Sequence, residues 1–190
     1  MTPSRDEAIR LFKKYNSTES LFKHALAVES VMKHIAGLKG EDVEKWGIIG
    51  LLHDLDYEKY PEEHCKMSEK IMKEEGWPED YIHAVVSHGW GICVDVEPVE
   101  LMEKYLFATD ELTGLVTTAA LVRPSKSVLD MTPKSVKKKW KDKRFAAGVD
   151  RSIIEKGAEM LGVEVSELIQ LTIDGMKTAA DELDLAGEAK

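Results

Sequence analysis

Apolar residues recur along this chain at intervals of three and four, and no run alternates polar with apolar positions in the manner of a strand. The pattern predicts an all-α protein. Thr2 or Ser4, with Pro3 between them, starts a first helix carrying Ala8, Leu11, Phe12 and Tyr15 on one side. Asn16-Ser17-Thr18 breaks it, and Ser17 or Thr18 caps a second helix reaching about Leu38. In that helix Leu21, His24, Val28, Val31 and Ile35 are spaced 3, 4, 3 and 4, one stripe that aims His24 where core residues aim. His34 falls off the stripe, toward solvent. Gly37 and Gly40 end the helix, and Asp42 begins a third in which Val43, Trp46, Ile49, Gly50, Leu52 and His53 face inward or nearly so. Gly47 and Gly50 each cost roughly 1 kcal/mol of helix propensity relative to Ala, which points to a close neighbour. Asp56 to Pro61 reads as a loop. A fourth helix follows from Glu62 to Glu75, and a fifth from Pro78 to about His88 holds Tyr81, Val85 and His88 on one stripe with His83 turned away. A long helix from Val99 to about Val122 carries Asp110 in its apolar middle, an unfavourable local choice unless something compensates it. Helices near Asp150 to Leu161 and from Val165 to Leu183 complete the chain.

The 190 residues suffice for one domain with a full core, organised as a helical unit over about 18–122 and a basic loop with a C-terminal helical extension over about 123–190. A net charge of -9 argues against bulk affinity for a nucleic acid polymer or an anionic membrane. Cys65 and Cys93 are too few for a disulfide framework and lack zinc-type pairing. The start, MTPSRDEAIRLFKK, has no apolar core of the secretory kind, and no run of about 18 apolar residues is present. A cytoplasmic protein is expected. The apolar set of the last helix (Leu168, Leu171, Ile173, Met176, Ala179, Ala180, Leu183) is broad enough to pack on the core or on a second copy in a homodimer, and the pattern does not choose.

Chemistry concentrates around Leu51-Leu52-His53-Asp54-Leu55-Asp56-Tyr57-Glu58, where an adjacent His-Asp pair ends an apolar run and opens into an acidic turn. Imidazole and carboxylate together suit borderline divalent metals. His24, His53, Asp54, His64, His88 and Asp110 come from different segments, and a helical bundle brings such segments side by side around a core site. One histidine on an apolar stripe is more often a hydrogen-bonded core residue than a ligand. The joint pattern carries more weight, because four of the six histidines and two aspartates would each need a separate reason to be buried.

His24, the pair His53-Asp54 and then Asp110 in a Thr109-Asp110-Glu111-Leu112 setting resemble, in that order on helices, the HD superfamily of metal-dependent phosphohydrolases. The resemblance covers roughly Ser20 to Leu115 and implies an all-α HD-domain helical bundle with additional C-terminal helices. It implies that the four matching positions bind one divalent metal. Members with a binuclear centre add two histidines between the HD pair and the last Asp, and His64 in EEHCKMSEKIM and His88 in HAVVSHGW look like those two. Asp54 would then bridge. The metal, one ion or two, is left open among Fe, Mn, Co, Ni, Zn and Mg. The common HDIGK wording is replaced by HDLDYEKY, and the GYP element of cyclic-di-GMP phosphodiesterases is missing, which argues against that substrate.

The implied activity is hydrolysis of a phosphomonoester or phosphodiester of a small phosphorylated, nucleotide-like substrate. Two metals about 3.5–4 Å apart activate water and hold phosphate oxygens. Catalytic roles fall on Asp54 and on a general acid, expected at Asp56 first and Glu58 second. His34 and His83 are read as surface residues. Arg123 and Lys126, at the head of the basic stretch RPSKSVLDMTPKSVKKKWKDKR, are the expected phosphate contacts, with Pro124 and Pro133 turns shaping a lid. Two other readings stand beside it: a mixed-valent di-iron oxygenase, which the same six-ligand arrangement serves in some HD-like relatives, and a non-catalytic regulatory HD module that binds a nucleotide. The sign of the latter would be the loss of a metal position, and the presence of every position counts against it.

Overall fold

Two long helices carry the architecture, and the others lie against them. The computed structural model describes residues 2–187. Among these, nine α-helices run in the order α1 (Arg5–Tyr15), α2 (Glu19–Lys39), α3 (Val43–Leu52), α4 (Lys66–Glu74), α5 (Glu79–Ser87), α6 (Leu101–Leu121), α7 (Pro133–Trp140), α8 (Arg151–Leu161) and α9 (Val165–Lys177). A 3-10 turn, Pro61–Glu63, precedes α4. The described residues form only isolated bridges, Trp90 with Val94 and Ser127 with Ala186. α2 contacts α3, α6 and α9, and α6 also takes α8. Gly50 is where α3 meets α2 backbone to backbone: a Cβ there would lie 3.0 Å from the Val28 carbonyl oxygen. At Gly47 the neighbour is the flexible Lys33 side chain, so the close approach belongs to Gly50.

Local signals set several boundaries as the pattern predicts. Ser4 and Glu7 cap α1 reciprocally, and the side chains of Asp42 and Asp150 cap α3 and α8. Four expectations change. The helix expected over Glu62 to Glu75 is interrupted at His64-Cys65, where Cys65 takes a left-handed backbone (φ 69), and α4 begins only at Lys66. The basic stretch is not a plain loop: Thr132 caps α7, Pro133 occupies its first turn, and Val136 is the buried anchor. The last helix ends at Lys177, after which turns bury Ala180, Leu183 and Leu185. His34 is half-buried, not solvated. The apolar face of α9 (Leu168, Ile169, Ile173, Met176) is fully buried against the chain's own core. No helix among the described residues is long and apolar enough to cross a membrane.

Candidate metal centre

The six candidate ligands converge, and local helix geometry explains how three of the histidines are aimed. His53 and His88 occupy the same position, directly after the last residue of α3 and α5. A helix end leaves carbonyls without partners, and each ring fills that need by donating its Nδ1 hydrogen to the carbonyl three residues back: His53 to Gly50 at 2.7 Å, His88 to Val85 at 2.5 Å. His64 donates its Nδ1 hydrogen to Asp56 Oδ1 at 2.7 Å. With the proton committed to Nδ1, Nε2 of all three rings is a bare lone pair.

Those lone pairs face one another and two carboxylates. His24 Nε2 and His53 Nε2 are 3.2 Å apart, and each lies against Asp110 Oδ1, at 3.0 and 3.1 Å. Asp54 Oδ2 approaches the same two nitrogens at 3.8 and 3.2 Å. On the other side, His64 Nε2 and His88 Nε2 are 3.2 Å apart, with Asp54 Oδ1 at 3.4 and 3.7 Å. Asp54 thus turns one oxygen to each cluster. Ligands held by a metal at ~2.0–2.2 Å with angles of about 90–110° stand roughly 2.9–3.6 Å apart, a spacing met in both clusters except between Asp54 and His24 (3.8 Å) and between Asp54 and His88 (3.7 Å). Acceptors aimed at acceptors repel unless a positive charge lies between them.

Electrostatics say the same. Burial opposes a charge on His53, yet Asp54 and Asp110 outweigh it and push its pKa up to about 10. Burial likewise opposes a charge on His64, and the hydrogen bond to Asp56 lifts it to about 9. Burial works against the ionised forms of Asp54 and Asp110, but His53 and its neighbours hold both well below the usual carboxylate range. Without a metal, this is a pocket that collects protons.

The two acids expected to serve as general acid have other positions. Asp56 is fully buried, and both its oxygens accept hydrogen bonds, Oδ1 from His64 and Oδ2 from the Ser68 backbone N–H at 2.7 Å. It orients a candidate ligand and caps α4, whose own cap residue Cys65 offers no side-chain bond. Glu58 caps α2 from across the chain, taking the backbone N–H of Ser17 and Thr18 at 2.9 Å each and the Ser17 hydroxyl at 2.7 Å. The Thr18 and Ser17 donors hold it down to about 2, so it stays ionised at neutral pH. Arg123 is equally displaced. It stands 13 positions after Asp110 (123 minus 110) at the far end of α6, about 20 Å along the axis at 1.5 Å per residue, and pairs with Asp130 at 3.0 Å. Lys126 follows in a left-handed turn. His83 Nδ1 donates to buried Glu103 Oε1 at 2.6 Å, away from the centre.

Three residues at the centre escape sequence reasoning. Tyr57 sets its ring edge-on to His64, with centroids 5.2 Å apart. Cys65 brings its sulfur within 3.9 Å of His88 Nδ1. Glu111 follows Asp110 and accepts from the Asp150 backbone N–H at 3.1 Å, tying the start of α8 to the centre. Burial, and after it the Asp110 charge, push Glu111 up to about 7. Only adjacency to a candidate ligand or acid, in Asp56-Tyr57-Glu58, His64-Cys65 and Asp110-Glu111, could have signalled them. Two openings meet at His24: a 460 Å³ mouth lined by Thr18, Leu21, Tyr57 and Glu58, and a 280 Å³ apolar cavity lined by Ala27, Gly114, Thr117, Leu183 and Leu185.

The HD domain family matches this chain over residues 21–113, a span that contains all six candidate ligands. Comparison with curated proteins and with solved structures finds no significant match.

Proposed function

From the HD domain that the chain carries over residues 21–113, we propose that it is a hydrolase of phosphate esters using two divalent cations. The observation that supports this most is the convergence of four imidazole Nε2 atoms and Asp110 around Asp54, three of those rings having their Nδ1 hydrogens engaged elsewhere. His24, His53, Asp54 and Asp110 would hold one cation, and His64, His88 and Asp54 the other. Bound there, such ions lower the pKa of water and neutralise charge on a phosphate. The chain's own residues do the rest. Gly50, Val85 and Asp56 keep each imidazole in the tautomer that presents Nε2. Asp56 acts as a positioning residue, not as an acid. The mouth beside His24 and Tyr57 admits the phosphate, and the organic part of a small ester fits the apolar cavity between α2, α6 and residues 183–185.

Elemental analysis of the purified protein, followed by turnover of a panel of phosphate esters under anaerobic conditions with Mn or Co, tests the reading. Two ions per chain and anaerobic release of phosphate are expected. Oxygen-dependent turnover with the spectrum of a mixed-valent iron pair would replace it with oxygenase chemistry. Asp54→Ala is expected to empty both clusters while leaving the helical circular dichroism intact, because Asp54 lies in a turn and not inside a helix.

A further inference from the structure

The two cysteines, 28 positions apart in sequence, are neighbours in space: Cys65 Sγ and Cys93 Sγ are 3.5 Å apart, both as free thiols. Each is tied to a candidate ligand of the same cluster. Cys65 directly follows His64, and Cys93 closes the turn that begins with Gly89, directly after His88. Gly89 makes the contact possible, since a Cβ there would sit 2.6 Å from both sulfurs. Cys65 is fully buried and Cys93 half-buried, so the pair is reached from one side.

We propose that Cys65 and Cys93 are an oxidation site, closing to a disulfide that unseats His64 and His88 and releases the cation they share with Asp54. With hydrogen peroxide as oxidant, one sulfur takes a peroxide oxygen, the O–O bond breaks and water leaves. The second sulfur attacks the resulting sulfenic acid, the S–S bond forms and a second water departs, two thiol hydrogens and two electrons having passed to the peroxide. Bonding requires the sulfurs to close by about 1.5 Å from their present separation. Metal ligands tolerate displacements of only about 0.2 Å, and the segments that must move are those bearing His64 and His88. The dithiol therefore belongs to the fully occupied centre and the disulfide to a centre reduced to His24, His53, Asp54 and Asp110. The thiol pair stands on its own geometry, whereas its coupling to a cation rests on the two-cluster reading above.

The test treats reduced, metal-loaded protein with graded peroxide, maps the peptides by mass, and measures metal after desalting. A Cys65–Cys93 cross-linked peptide lacking two hydrogens, release of one ion per chain, and reversal of both by dithiothreitol are expected. Cys93→Ser should keep both ions at the same peroxide dose. By reciprocity, metal-free protein should cross-link in a less oxidising thiol buffer than the loaded form. A cross-link with metal fully retained overturns the proposal, and so does Cys93 sulfinic acid with no cross-link. Cation release on cross-linking in a protein that cleaves no phosphate ester would refute the hydrolase reading and leave this one standing.

Discussion

Asp56→Asn separates a positioning residue from a general acid with one heavy atom exchanged. The carboxylate is fully buried and accepts two N–H groups at 2.7 Å, from His64 Nδ1 and from the Ser68 backbone. Asparagine offers one oxygen and one NH2 in the same space. The Ser68 N–H is fixed in the first turn of α4, so the amide oxygen goes to it and the NH2 confronts His64 Nδ1. His64 then shifts its proton to Nε2, the atom that lies 3.2 Å from His88 Nε2 and 3.4 Å from Asp54 Oδ1, and that atom can no longer bind a cation. Loss of a partner to a ligand of this kind costs 10–100-fold in metal affinity, about 1.4–2.7 kcal/mol. Competition against a chromophoric chelator should show one of two ions weakened by that factor and the other unchanged. Turnover should fall with occupancy and recover when metal is raised. A general acid behaves oppositely, with affinity intact, kcat lost at every metal concentration and one limb of the pH profile gone. That second pattern would refute the reasoning.

Three further outcomes follow from the same geometry. Gly114 lines the apolar cavity and a Cβ there has only Val149 Cγ2, at 3.7 Å, within 4 Å, so Gly114→Leu has room to narrow the cavity and should lower kcat/KM more for bulky apolar esters than for methyl phosphate. It should not lower the melting temperature, since Leu is a better helix former than Gly by about 0.8 kcal/mol, and an unchanged preference among esters would remove the cavity from substrate binding. Arg123→Ala should leave turnover within about twofold and cost under about 1 kcal/mol in urea unfolding, because the Asp130 pair is partly exposed and the residue stands far from Asp110; a collapse of kcat/KM would restore Arg123 as a substrate contact. For Glu58 the folded pKa lies below the unfolded one, so its cap stabilises the protein above about pH 4.5 and is lost as pH falls toward 2. The difference in unfolding free energy between wild type and Glu58→Gln should therefore be full at pH 7 and vanish in strong acid, and a difference constant with pH would contradict the cap.

What the chain by itself determined is local in physics. Spacings of three and four decide helical phase, so His24 among Leu21, Val28 and Val31, and Asp110 among Leu106 and Thr113, point inward before any neighbour is known. Ser4 and Asp42 cap where they stand because a cap bonds within its own first turn. The ligand types, imidazole and carboxylate, are likewise written in the residues. Tertiary structure alone decided partners and distances. Asp56 and Glu58 are two acids of one loop in sequence, yet one ends beneath His64 and the other on the N-terminus of α2, and neither destination leaves a trace in spacing. The break at Cys65 that frees His64 from α4, the twin histidines ending α3 and α5, and the meeting of Cys65 with Cys93 depend on chains crossing in space. Arg123 shows the limit from the other side: thirteen residues after a ligand is near in sequence, but a helix converts them into about 20 Å. Periodicity reports which way a side chain faces, and only packing reports what it meets.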